Sequence, residues 1–138
     1  MNELIIFTDG GARGNPGPAA CAFVALKGSK QIHKDSKYLG VATNNSAEYQ
    51  GVILAFKWLL SSLFTVHRSL ITINMDSLLV VNQLNGVYKI KNPDLQMLHA
   101  KVKELEDKLK TKIFYKHVPR EKNQLADALV NENLNKNA

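Results

Sequence analysis

Leu4-Ile5-Ile6-Phe7-Thr8 is a continuous apolar run without polar alternation, the pattern of a β-strand covered on both faces. Such a strand requires one layer of structure above it and another below, which predicts an α/β domain. The run meets Asp9-Gly10-Gly11 and then the turn-forming cluster Gly14-Asn15-Pro16-Gly17-Pro18, where the strand is expected to end. Ala19 to Leu26 reads as a second strand, Lys27-Gly28-Ser29-Lys30 as a hairpin turn and Gln31 to Leu39 as a third strand. The short connections make these first three strands antiparallel neighbours.

Downstream the period changes. Asn45 to Ser62 is predicted to be a helix, Leu70 to Met75 a strand, and Ser77 to Asn85 a short helix stopped by Gly86. Pro93 to Lys110 carries apolar residues at helical spacing, with Pro93 suited to a first turn. Lys112 to His117 reads as a fifth strand and Glu121 to Leu134 as a closing helix, while the Asn/Lys-rich stretch Asn131 to Ala138 is expected to fray. The order is βββαβααβα: a five-stranded mixed β-sheet flanked by helices, with 1–138 forming a single domain.

Composition narrows the setting. The chain has 138 residues, a net charge of +6 and one cysteine, so it can bury a core but cannot close an internal disulfide. A reducing, cytoplasmic location is the expectation. No stretch reaches the roughly 18 apolar residues of a membrane span, and Met1-Asn2-Glu3 does not resemble a secretory leader. The positive charge suits a polyanionic partner such as nucleic acid.

Four acids stand out: Asp9 after the first strand, Glu48 in the first turn of the first helix, Asp76 after the strand Leu70 to Met75, and Asp127 in the last helix. Each has an ordinary structural explanation. Asp9-Gly10 is a common turn pair, and Asn45 with Glu48 has the spacing of a capping box. Asp76 stands where a helix N-cap would, and Asp127 can be a solvated charge. Glu48 resists this reading, because Val52, Ala55 and Leu59 fall within about 40° of it on the helix. It therefore faces the sheet, where an ionised carboxylate is costly unless cations or hydrogen bonds meet it. If Asp9 and Asp76 end neighbouring parallel strands, their carboxylates meet at one rim of the sheet, the place where open α/β sheets bind ligands. An oxygen-only ligand set points to Mg²⁺ or Mn²⁺ rather than zinc.

Four segments resemble the type 1 ribonuclease H family: Phe7-Thr8-Asp9-Gly10-Gly11 with Gly14-Asn15-Pro16-Gly17-Pro18; Thr43-Asn44-Asn45-Ser46-Ala47-Glu48; Met75-Asp76-Ser77; and His117 to Asp127. They come in the family's order and cover essentially the whole chain, and Val-Pro-Arg-Glu at 118–121 is similar to the short prokaryotic and reverse-transcriptase-like branch. The resemblance implies a ribonuclease H-like fold and hydrolysis of the RNA strand of RNA–DNA hybrids, leaving 5′-phosphate and 3′-hydroxyl ends. Asp9, Glu48, Asp76 and Asp127 would hold two divalent ions about 4 Å apart, one activating water and one stabilising the leaving oxygen.

His117 takes the position of the family's mobile histidine, with Arg120 as the other candidate for assisting turnover. Asn15, Asn44 and Asn45 would reach the minor groove, where 2′-hydroxyls mark RNA. Thr43 would hold a phosphate at a helix N-terminus, and Gly10, Gly11, Arg13 and Ser77 complete the implied substrate contacts. The basic protrusion of longer members is absent, since only Val87-Tyr88-Lys89-Ile90-Lys91 and Asn92-Pro93 stand there, and Leu78 replaces a frequent Gln. Binding then falls to scattered cations such as Arg13, Lys89, Lys91, Lys116, Arg120 and Lys122. A monomer is expected. Activity on double-stranded RNA, a binding module without catalysis, and another nuclease of the same sheet stay open as alternatives.

Overall fold

In the computed structural model, which describes residues 2–62 and 69–138, the apolar run lies inside β1 (Asn2–Ala12) at the centre of a five-stranded sheet. β2 (Gly17–Lys27) and β3 (Lys30–Ala42) follow as antiparallel neighbours, and β4 (Ser69–Met75) and β5 (Ile113–His117) add in parallel on the other side. The order across the sheet is β3-β2-β1-β4-β5. The helices are α1 (Asn44–Ser61), α2 (Leu78–Leu84), α3 (Pro93–Leu109) and α4 (Gln124–Lys136), with a 3₁₀ turn at Arg120–Lys122. The predicted βββαβααβα order and mixed sheet are both present.

The two faces of β1 explain its continuous apolarity. On one face Leu4 and Ile6 join Val52, Phe56, Leu59, Ile71 and Ile73 in the main core, roofed by α1 with α3 packed against it. On the other, Ile5 and Phe7 are half-buried, and α4 packs across the sheet where Ala20 and Ala22 of β2 meet Val130 and Leu134. Those small β2 side chains let α4 lie close to the sheet. Among the described residues no helix is long and apolar enough to cross a membrane.

Boundaries differ from the sequence reading where tertiary pairing outweighs local signals. Asp9-Gly10-Gly11 does not end β1. The strand runs on to Ala12 because Asp9, Gly10 and Gly11 keep pairing with Ala22, Cys21 and Ala20. The N-cap of α1 is Thr43, whose Oγ1 accepts from Ser46 N, so Asn45 and Glu48 form no capping box. Ser77, not Asp76, caps α2. The closing helix begins at Gln124 rather than Glu121, after the 3₁₀ turn. Residues 131–136, read as a fraying tail, are helical as far as Lys136, held by buried Leu134 and by Asn133 Nδ2 donating to Ser36 Oγ at 3.0 Å.

Candidate active site

β1 and β4 run in register only as far as Phe7 opposite Asn74. Beyond that pair the strands part, and a crevice opens at the carboxyl end of the parallel segment. Asp9 stands on β1 just past the divergence and Asp76 follows the last residue of β4. Glu48 comes down from the second turn of α1. Carboxylate oxygens of Asp9, Glu48 and Asp76 all lie within 4.8 Å of one another.

Glycine makes this approach possible. A Cβ on Gly10 would stand 2.1 Å from the carbonyl carbon of Ala47, and one on Gly51 would stand 2.8 Å from the carbonyl oxygen of Asp9. Strand and helix therefore touch backbone to backbone, and Gly10 N donates to Glu48 Oε1 at 2.7 Å. The predicted inward orientation of Glu48 is present, with Glu48, Val52, Ala55 and Leu59 all buried.

Three acids so placed cannot all stay ionised on their own. Burial, reinforced by the charge of Asp76, pushes the Asp9 carboxyl from 3.8 up to about 7. Burial, together with the charges of Asp9 and Asp76, raises the Glu48 carboxyl well above the ordinary range. The hydrogen bond between the two acids favours the proton on Glu48. Such a cluster of hard oxygen donors, with no ion-pair partner among the described residues, fits a hard divalent cation.

An open cavity of about 380 Å³ surrounds the triad, and Asp127, Arg120, Arg13 and Asn44 are among its walls. Asp127 thus lines the same cavity without joining the close cluster, and Asn131 Nδ2 lies 3.4 Å from its Oδ2. Gly10 and Gly11 also border the space. His117 ends β5 opposite Met75, exposed and outside the cavity lining, whereas Arg120 is part of it.

The asparagines form a scaffold. Asn44 Oδ1 accepts from Ala12 N at 2.8 Å, and Asn15 Oδ1 accepts from Asn44 N at 3.0 Å. Both amides thereby spend an acceptor internally, and among the described residues neither NH₂ group has a hydrogen-bond partner. Thr43 and Ser77 serve as helix caps, and Asn45 borders neither the triad nor the cavity.

Asn123 is a residue that sequence reasoning passed over. It is only 1% exposed; its Nδ2 donates to the Thr8 carbonyl at 2.9 Å and approaches Asp76 Oδ2 at 3.4 Å. It serves a β1 carbonyl beyond the end of the parallel ladder. Its place four residues before Asp127 was the available signal.

Comparison with known proteins agrees with this geometry. Residues 7–133 match the family model described as reverse transcriptase-like. A bifunctional protein of Mycobacterium tuberculosis is 37% identical over 94% of this chain, and a ribonuclease HI of Halobacterium salinarum is 38% identical over 93%. The chain spans only 35% of the first of these and 62% of the second. Among solved structures, LC11-RNase H1, isolated from compost, superposes with a TM-score of 0.93 at 42% identity, covering 99% of this chain and 98% of that one. The same protein has been solved with an RNA/DNA hybrid, and that structure matches at 41% identity with a TM-score of 0.92 over 96% of this chain and 97% of that one. With the strand order, the acidic crevice and the family model in agreement, the chain belongs to the type 1 ribonuclease H family.

Proposed function

We propose that residues 1–138 act as one catalytic domain, an endonuclease that hydrolyses the RNA strand of RNA–DNA hybrids. The observation that carries this is the Asp9, Glu48 and Asp76 cluster within 4.8 Å at the strand crevice, in a chain resembling a protein solved with such a hybrid.

Two divalent ions, Mg²⁺ or Mn²⁺, held by Asp9, Glu48, Asp76 and Asp127 would supply water activation and charge neutralisation at the scissile phosphate. The chain's own residues do the rest. Asp127, which lines the cavity from α4, would close on a cation from outside the triad. Arg120 offers a fixed positive charge to the phosphate as negative charge builds on it. Its position in the cavity wall favours it over His117 for that role. The free amide donors of Asn15 and Asn44 face acceptors of the minor groove, where 2′-hydroxyls distinguish RNA. Gly10 and Gly11 bring the β1 backbone to the cavity lining, where the nucleic-acid backbone would pass, and Arg13 meets a strand phosphate.

Thr43 and Ser77 complete the substrate-facing set through the helix N-termini they cap, and Asn45, outside the cavity lining, would contact only a duplex that extends beyond the cavity. The domain acts as a monomer in the cytoplasm on this reading. The test is cleavage of an end-labelled hybrid with Mg²⁺ or Mn²⁺, beside duplex DNA, duplex RNA and a four-way junction. Cuts in the RNA strand with 5′-phosphate and 3′-hydroxyl ends, abolished by EDTA, are expected. Binding of hybrid without any cleavage would replace this reading with the non-catalytic module.

A further inference from the structure

Arg13 stands in the wall of an acidic cavity, yet among the described residues no carboxylate pairs with it. Its Nη2 donates to Asn135 Oδ1 at 2.6 Å, across 122 positions of sequence. The ion pairs found among the described residues lie instead within α3 and within α4. A neutral amide oxygen can fix the direction of a guanidinium without cancelling its charge, which a carboxylate would do.

Both ends of this contact are anchored. The backbone of Arg13 donates to the Pro18 carbonyl at 2.8 Å, and the chain crosses so closely that a Cβ on Gly17 would stand 2.1 Å from the Arg13 carbonyl oxygen. Asn135 sits in the last turn of α4, one residue after buried Leu134 and two after Asn133, which donates to Ser36 of β3. Sheet, loop and terminal helix thus converge on one exposed cation.

We infer that Asn135 is a positioning residue for Arg13, holding its guanidinium at full charge on the cavity rim to receive a backbone phosphate of the nucleic-acid substrate. This rests on Arg13 being a phosphate contact, as in the function proposed above. The consequence is that the last turn of α4 helps to set substrate affinity, although it contributes none of the acids.

The test is the Kd for a labelled RNA–DNA hybrid across a salt series, with kcat measured alongside, for Asn135→Ala, Asn135→Asp and Arg13→Ala. Asn135→Ala removes the hold but keeps the charge, so Kd should rise about three- to tenfold, the worth of one hydrogen bond, with the salt slope and kcat unchanged. Asn135→Asp keeps the hold but neutralises the charge, so the slope of log Kd against log salt should fall by about 0.9, one phosphate contact. Arg13→Ala should show both effects. A helix turn of purely structural value would not separate slope from affinity in this way. Wild-type Kd and slope in both Asn135 variants, with Arg13→Ala still impaired, would overturn the positioning role alone. A wild-type Kd and slope in Arg13→Ala would instead remove Arg13 from the phosphate contacts.

Discussion

Gly10→Ala isolates the contact that brings Glu48 to the other acids. The added Cβ would lie 2.1 Å from the Ala47 carbonyl carbon, 2.2 Å from its oxygen and 2.5 Å from Glu48 N, all of them backbone atoms that cannot rotate aside. Ordinary contact begins near 3.4 Å, so α1 or β1 must move by about 1.3 Å, the gap from 2.1 to 3.4 Å. That displacement stretches the Gly10 N to Glu48 Oε1 bond from 2.7 Å and opens the 4.8 Å triad.

A misplacement of about 1 Å costs on the order of a hundredfold in rate, and overpacking costs about 1–3 kcal/mol of stability. The matched comparison is Gly11→Ala, whose Cβ would meet only Val130 Cγ1, at 3.9 Å, and whose stability should stay within about 0.5 kcal/mol of wild type. Thermal melts with hybrid cleavage rates for both variants decide the matter. Gly10→Ala with wild-type melting and a cleavage rate within a few-fold of wild type would refute the backbone-contact account.

Other outcomes follow from the buried acids. Asp9 keeps its proton in the folded, metal-free protein up to about 7 and loses it at 3.8 when unfolded. Stability is therefore full below pH 4 for this group and declines as pH rises to 7, by about 4 kcal/mol, with Glu48 acting in the same direction. Melts in EDTA should show a lower Tm at pH 8 than at pH 5, and added Mg²⁺ should restore it at pH 8; a rising Tm in EDTA would contradict the electrostatics. Asp9→Asn and Glu48→Gln should each abolish cleavage and, by removing a repelled charge, raise Tm in EDTA at pH 8; residual cleavage above a few per cent would count against their metal roles. Arg120→Ala should lower kcat by on the order of a hundredfold, as loss of a transition-state donor does, while His117→Ala leaves it near wild type. The reverse ranking in single-turnover assays would return the role to His117.

Much of this was written in local sequence. Residues 4–8 were apolar without alternation because β1 has a helix layer on each side, so the sheet's central strand was legible before any fold was known. Helical spacing turned Glu48 inward, a consequence of 3.6 residues per turn that needs no tertiary knowledge. The turn clusters separated the strands, and the four acidic motifs came in recognisable order.

What local pattern could not supply was distance. Asp9-Gly10 looks like a turn in isolation, yet pairing with β2 keeps it extended to Ala12, and Gly10 serves the α1 approach instead. Asp127 reads as the equal of the other acids, but only packing set it on the cavity wall outside the close triad. The polar stretch 131–136 carries too little apolar content to announce a stable helix, and buried Leu134 with the Asn133 and Asn135 contacts holds it in place. Charge, turn chemistry and periodicity are properties of neighbours along the chain, so they were readable before any fold was known. Which oxygens gather at one crevice and which amides meet them depended on the fold, because burial and long-range hydrogen bonds exist only once distant segments meet.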